Sequence, residues 1–268
     1  MNNIYLKNNL SIIQKITLSG LFIALITILQ KVIAINYIAV VPFVRISFGG
    51  CALLIFASVF LGPWYGLLIG AASDILGYFI FDPKTMGFFP QITAIYTLMG
   101  FISYFFFILV RFIKNKKVII CVEYSVFAAF LVAITLFITL NDSISLYSST
   151  YSIELWQKIT IPVVLFLLFS LLVVLNFFMD RYFTRKEDNR IYFNVYQISF
   201  ACFLIEVIVM ILFGTLMKGF AFGFQTYPAI LIAQILVAFI NIPLNTFIIS
   251  YIMRLTKRFY PCPSEVDK

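Results

Sequence analysis

The sequence predicts an all-α integral membrane protein that crosses the bilayer about eight times. Hydrophobic residues make up 63% of the 268 residues and charged residues only 11%, whereas soluble domains carry about 25% charged residues. The mean hydropathy is +1.05. The apolar residues form runs of membrane-spanning length, and the basic residues collect between alternate runs. Together these observations predict that almost the whole chain is embedded in a membrane.

Eight apolar runs are candidates for spans, because a hydrocarbon core of about 30 Å needs roughly 20 helical residues. The first run follows basic residues, as a signal peptide would. It is too long for a signal-peptide core, and no small-residue cleavage site follows it before Pro42, so we interpret it as a retained helix. The predicted spans are 16–35, 46–62, 64–81, 91–112, 118–140, 159–180, 196–216 and 229–253.

Lysine and arginine set the predicted orientation, since cytoplasmic loops carry an excess of both. With the N-terminus in the cytoplasm, 14 of the 19 basic residues lie on the cytoplasmic side. An even number of spans returns the C-terminus to that side. The net charge of +8 is then a topology signal, and we expect no nucleic-acid partner. The outer side holds the loops 36–45, 82–90, 141–158 and 217–228 and the basic residues Lys31, Arg45, Lys84, Lys158 and Lys218.

Small residues at helical spacing mark two of the predicted helices. Such residues allow close contact between helices in lipid. For the third helix, internal packing is the simpler interpretation, and for the first the alternative is docking to a separate membrane subunit. The residues are Gly20 and Ala24 in the first helix, and Gly66, Gly70, Ser73 and Gly77 in the third.

Asp74 is an acid placed within the third apolar run. A carboxylate at such depth costs about 2.5–3.5 kcal/mol on insertion scales, so it should face a cavity or a partner. Either it binds hydroxyl or backbone groups inside the bundle, or it contacts a ligand. Glu206 poses the same question. Glu123 lies nearer the cytoplasmic end of its run, and we expect it to snorkel to the surface.

The outer loops offer ligand-binding groups. Arg45 ends the first loop, where its guanidinium is either an interfacial anchor or a bidentate partner for a carboxylate. The second loop enters the fourth helix through Phe88-Phe89-Pro90-Gln91-Ile92-Thr93. That helix N-terminus attracts anionic or polar groups, and its aromatic rings either stack on a flat ligand or belong to an interfacial belt.

The last helix carries three amides on one face. Gln234, Asn241 and Asn245 lie within about 40° of one another at 100° per residue. Such a face binds another helix or a polar cargo, and Pro243 is expected to kink the helix there.

Several chemistries find no support in the sequence. The chain has no histidine, and its four cysteines are scattered without a CxxC pair. The spans hold few acids and no paired nucleophile and base. No GxxxxGK[ST] phosphate loop is present, so the chain is not an ATPase. We therefore expect no enzyme, no metal and no cofactor.

The chain resembles the substrate-binding S-components of energy-coupling-factor (ECF) vitamin transporters, most closely the folate family. The resemblance covers about 16–113 and 195–257. The segments that carry it are Arg45-Ile46-Ser47-Phe48-Gly49, Leu61-Gly62-Pro63, 66–74 (GLLIGAASD), Phe89-Pro90-x-x-Thr93, Met99-Gly100, Gly214-Thr215-Leu216 and Ile242-Pro243-Leu244.

This resemblance implies a single membrane domain with six core helices in 16–113 and 195–257 and an inserted transmembrane hairpin at about 118–181. It implies a subunit of the bacterial cell membrane that captures a folate-like vitamin outside. Delivery requires a membrane coupling subunit (the T component) and two cytosolic ATPases. Gly20 and Ala24 match the positions that dock to the coupling subunit, although the next position of that pattern is Ile28 here.

A folate presents a pterin ring, an aromatic middle and two carboxylates. The resemblance implies Arg45 for one carboxylate, with Lys84 or Lys218 for the other. Folate-type relatives carry basic residues where this chain has Gln234 and Val237, so another flat or acidic vitamin is an alternative. The remaining candidate contacts are Asp74, Phe88, Phe89, Gln91, Thr93, Tyr96 and Gln234.

Other classes of protein remain open from the residues alone. A non-transporting scaffold of cell-envelope assembly would need neither Arg45 nor Asp74. An independent carrier would need a coupling-ion site, and the chain shows no internal repeat of the kind typical of inverted-repeat carriers.

Overall fold

The structure is a computed structural model that describes residues 10–31, 49–81, 87–113, 115–146, 149–184 and 193–259. The described chain is almost entirely helical. Its α-helices are α1 (Ile12–Lys31), α2 (Gly50–Leu61), α3 (Pro63–Phe81), α4 (Pro90–Phe112), α5 (Lys116–Leu140), α6 (Leu155–Thr184), α7 (Val195–Ile205), α8 (Gly214–Phe222) and α9 (Tyr227–Phe259).

Within the described ranges, seven helical stretches are long and apolar enough to cross a membrane. The chain is therefore a multi-pass helical membrane protein. A π-helical segment, Glu206–Phe213, joins α7 and α8 into one of these stretches. A short 3₁₀ turn, Phe224–Thr226, leads into α9.

Helix α2 is shorter than the predicted span 46–62. It has 12 residues, and Gly49 and Gly62 flank it with positive φ angles of 84° and 108°; residues 46–48 lie outside the described part. Eleven of its residues are buried, because α1, α3, α4 and α9 surround it. A helix enclosed by protein on all sides has no lipid-facing length to fill.

Helices α3 and α4 are in backbone contact through glycine. A Cβ added at Gly66 would collide with the carbonyl oxygen of Gly100, and one at Gly70 with that of Tyr96. Gly77 makes room for the side chain of Lys31, whose Cε lies 2.7 Å from the position of an added Cβ. The small face of the third helix thus packs against neighbouring helices of the same chain, as the internal-packing interpretation predicts.

Helices α5 and α6 form a helical pair capped by a β-hairpin. Strands β1 (Ser143–Leu146) and β2 (Ser149–Ser152) are antiparallel, with Ser143 opposite Ser152. This short hairpin is a local exception in a chain whose described residues are otherwise those of the predicted all-α membrane protein. Lys158 pairs with Asp142 at the base of the hairpin, and this hydrogen bond and positive charge hold the pKa of the Asp142 carboxyl below its usual range.

The predicted outer loop 217–228 is wrong over most of its length. Helix α8 continues to Phe222 and ends at Gly223, whose φ of 93° favours glycine. The first glycine of this stretch, Gly219, is buried inside the helix. Lys218 consequently lies on a helix and not on a loop.

The α5–α6 pair packs on one side of the remaining helices. Helix α5 contacts α7, and α6 contacts both α7 and α9. The ring of Phe127 lies 5.3 Å from that of Phe203 and 4.7 Å from that of Phe239, between ring centroids. The interface is therefore an aromatic extension of the core.

Candidate functional site

The candidate site lies at one end of the bundle, called the outer end here, where α1 and α3 finish and α2, α4 and α9 begin. Asp74 is 4% exposed there. Thr93 of α4 donates a hydrogen bond to its Oδ2 at 2.7 Å, and Lys31 Nζ of α1 lies 3.7 Å from its Oδ1. Asp74 thus connects three helices, and two of the predicted residues, Asp74 and Thr93, are in direct contact.

The predicted aromatic residues do not form one cluster. Phe88 is 41% exposed, and its ring packs on Tyr78 and Phe79 at the surface. Phe89 is half-buried, 4.8 Å from the ring of Phe222 at the end of α8. Tyr96 is half-buried, and its carbonyl faces Gly70. Arg45 and Lys84 lie outside the described residues.

Two glutamines near the outer end have buried amide atoms without partners. Neither Nε2 nor Oε1 of Gln30 makes a hydrogen bond, and the residue is only 3% exposed. Gln91 Oε1 is likewise buried without a partner. Gln30 was missed at the sequence level, although it continues the buried face of α1 formed by Phe22 and Ile26.

Lys218 is a half-buried ammonium inside the helical span. Among the described residues it makes no hydrogen bond and no ion pair. It lies within electrostatic range of Glu206 in the π-helical segment and of Cys51 in the first turn of α2. A cation in this position has unused capacity to donate hydrogen bonds.

The amide face of α9 points into the bundle. Gln234, Asn241 and Asn245 are 6%, 5% and 1% exposed. Asn245 Nδ2 lies 3.5 Å from Glu206 Oε1, and the Oδ1 atoms of both asparagines are buried without partners. Helix α9 runs without interruption through Pro243. The amide face predicted from the spacing of these residues is therefore a polar surface inside the bundle. Glu206 of the π-helical segment contacts this face through Asn245.

Glu123 does not snorkel to the surface, so that prediction is wrong. It is 1% exposed, and its Oε1 accepts hydrogen bonds from Ser199 Oγ at 2.9 Å and Asn176 Nδ2 at 3.4 Å. The polar face of α5 is turned toward α7 and α6, which supply these donors. Through its hydrogen bond with Ser199, the Glu123 carboxylate connects the α5–α6 pair to α7 and so to the rest of the bundle.

A groove of about 540 Å³ lies between α6 and α9. Its lining is apolar apart from Tyr182 and includes Leu171, Phe239 and Pro243. It offers almost no hydrogen-bonding groups, so it does not suit a polar vitamin.

The small residues of α1 are on a free face. Gly20 and Ala24 are exposed, and a Cβ added at Gly20 would meet no atom within 4 Å. The opposite face packs on α2 and α3 through Phe22 and Ile26. The smallness of Gly20 therefore serves no contact within the described chain.

Comparison with protein-family models, with curated proteins and with solved structures found no match for this chain. Within the described ranges, no group of three His, Cys, Asp or Glu side chains is placed to hold a metal ion. What the outer end offers is a set of buried donors and acceptors without partners. Such a set suits the binding of a polar molecule.

Proposed function

We propose that the chain is the substrate-capture subunit of an ATP-driven ECF importer for a folate or a reduced folate. It binds the vitamin at the outer side of a bacterial cell membrane and delivers it by associating with a T component and two ATPases. The proposal combines the family resemblance of the sequence with the chemistry of the outer end.

The observation that carries the proposal is the set of buried polar groups without partners at the outer end. A buried donor or acceptor left unsatisfied costs about 1–3 kcal/mol, and lipid supplies no partner. The unpaired amide atoms of Gln30 and Gln91 together represent a substantial penalty in an otherwise apolar bundle. A polar cargo that satisfies these groups explains why they are there.

The exposed face of α1 supports the association with a coupling subunit. Helices in lipid approach each other most closely across small residues. Gly20 and Ala24 are exposed, and a Cβ added at Gly20 would meet no described atom within 4 Å. A second membrane protein is the partner that such a face suits.

The cargo has one alternative, another flat or acidic vitamin. Gln234 is buried at the outer part of α9, where folate-type relatives carry a basic residue. An amide in that place pairs with a neutral polar edge as readily as with a carboxylate.

The proposal is tested by uptake of radiolabelled folic acid into cells that express the chain with or without a T component and two ATPases. We expect uptake only when all four proteins are present and ATP is available. Uptake by the chain alone would instead identify an independent carrier. No uptake of any B vitamin in either strain, with the chain correctly inserted, would contradict a transport function and favour an envelope scaffold.

A further inference from the structure

The first turn of α2 is a buried helix N-terminus at the outer end. Its N-cap residue, Gly49, has no side chain to cap the free N–H groups. Gly50, Cys51 and Ala52 are all buried. A helix N-terminus carries a partial positive charge and directs N–H groups outward, so it attracts anions.

A buried amide is placed directly against this turn. The side chain of Gln30 reaches Gly50 so closely that a Cβ on Gly50 would collide with its Cγ. Only 3% of Gln30 is exposed, and neither its Nε2 nor its Oε1 has a hydrogen-bond partner. Its Nε2 is therefore an unused donor beside the helix N-terminus.

The Lys218 ammonium on α8 lies within electrostatic range of Glu206 and of Cys51 in the same turn. It makes no hydrogen bond or ion pair with any described residue. The carboxylate that also acts on it, Glu206, is contacted by Asn245 of α9.

We infer that the first turn of α2, Gln30 and Lys218 form an anion-binding subsite for a carboxylate or phosphate group. Helix N–H groups, an amide N–H and an ammonium are all donors. The inference rests on the proposed function, since the acidic group of the captured vitamin is the anion that would reach this site.

The test measures thermal stability of the detergent-purified full chain during titration with glutarate and with phosphate, at constant ionic strength in chloride. We expect saturable stabilisation. Lys218→Met and Gln30→Leu should each weaken the apparent affinity about tenfold or more, because a hydrogen bond to a charged group contributes about 1.5–3 kcal/mol. Lys158→Met is the matched control, a lysine of the predicted outer side that pairs with Asp142, and it should change nothing.

The two anions distinguish the possible chemistries of the bound group. A preference for glutarate would indicate a cargo with a carboxylate, and a preference for phosphate would indicate a phosphorylated cargo. No saturable response in the wild type, or an equal response in wild type and in either folded variant, overturns the subsite. If a vitamin binds wild type and Lys218→Met equally, the subsite fails while the proposed function stands. If the anions bind through Lys218 but no B vitamin binds, the subsite stands while the proposed function fails.

Discussion

The carboxylate of Asp74 links α1, α3 and α4 at the outer end through Lys31 and Thr93. Both interpretations of this acid drawn from the sequence required a partner, because an isolated carboxylate in a membrane is costly. Its partners within the chain account for its presence. Any contact with cargo would add to this structural role.

Asp74→Ala should destabilise the protein by about 1–3 kcal/mol, since it removes the buried acceptor of the Thr93 hydrogen bond and the carboxylate that pairs with Lys31. The measurement is thermal unfolding of the detergent-purified variant. Asp180→Ala is the matched control: its pair with Lys116 is more exposed, so its loss should cost less than about 1 kcal/mol. Equal stability of Asp74→Ala and wild type would contradict the assigned role.

Ser199→Ala should destabilise by about 1–3 kcal/mol, because the Glu123 carboxylate loses its shorter hydrogen bond while remaining buried. Ser103→Ala is a control of the same size and burial. Ser103 donates only to the carbonyl of Met99 within its own helix, so no charge is left without a donor. If the two variants unfold at the same temperature, Ser199 does not stabilise Glu123.

The sequence predicts individual polar residues better than their surroundings. Asp74 and the amides of α9 stand out because each interrupts an apolar run, and all are buried. Glu123 was assigned wrongly, because its depth along α5 is visible in the sequence but its neighbours on α6 and α7 are not. Gln30 was missed since a single amide near a helix end gives no signal until α2 is packed against it.

At the scale of helices, Gly66 and Gly20 both belong to small-residue patterns in the sequence, but their surroundings in the structure differ. Gly66 is in backbone contact with Gly100, whereas Gly20 has no neighbour within 4 Å of an added Cβ. A sequence shows the spacing of small residues but not the helix that faces them. The structure therefore separates a packing glycine from a candidate docking glycine.

Gly20→Leu should leave stability within about 0.5 kcal/mol of wild type and leave vitamin binding unchanged, yet abolish uptake with the T component and ATPases. Ala24→Leu should behave alike. Thermal unfolding, calorimetry and uptake measure the three properties. Gly66→Leu is the contrasting control, expected to prevent folding because its side chain would enter α4. Loss of vitamin binding in folded Gly20→Leu would refute the docking role.

Deletion of 118–181 should leave a folded, vitamin-binding bundle. The Lys116–Asp180 ion pair, at 3.0 Å, brings the ends of the segment together, so Lys117 can be joined to Tyr182. The deletion would expose the rings of Phe203 and Phe239, which lipid or detergent can cover. It would also expose Ser199, which carries no charge. Size-exclusion profile and calorimetry test this. A folded deletion variant that binds no vitamin would contradict the view that the hairpin is dispensable.

The predicted spans coincide with helices because apolar length determines where a chain crosses a membrane. Three features differ: the short α2, the β-hairpin, and the helical stretch that carries Lys218. The short α2 and the β-hairpin depend on tertiary contacts. The length of α8 depends on whether Gly219 or Gly223 ends the helix. The π-helical segment Glu206–Phe213 has no signal in the sequence at all.

At the scale of the whole molecule, an apolar surface surrounds an interior with more polar groups than its packing uses. Gln30, Gln91 and Asn241 have buried atoms that no described neighbour satisfies. Their distribution from the outer end toward the middle of the bundle fits a protein that encloses a polar molecule from one side.

The most direct test is isothermal titration calorimetry of detergent-purified protein with folic acid, its reduced forms and the other B vitamins. We predict tight, saturable binding of one folate that Arg45→Ala weakens and Arg111→Ala, at the predicted cytoplasmic end of α4, leaves unchanged. Tight binding of a different vitamin would keep the capture function and replace the cargo. A well-folded sample that binds none of them would contradict the central claim.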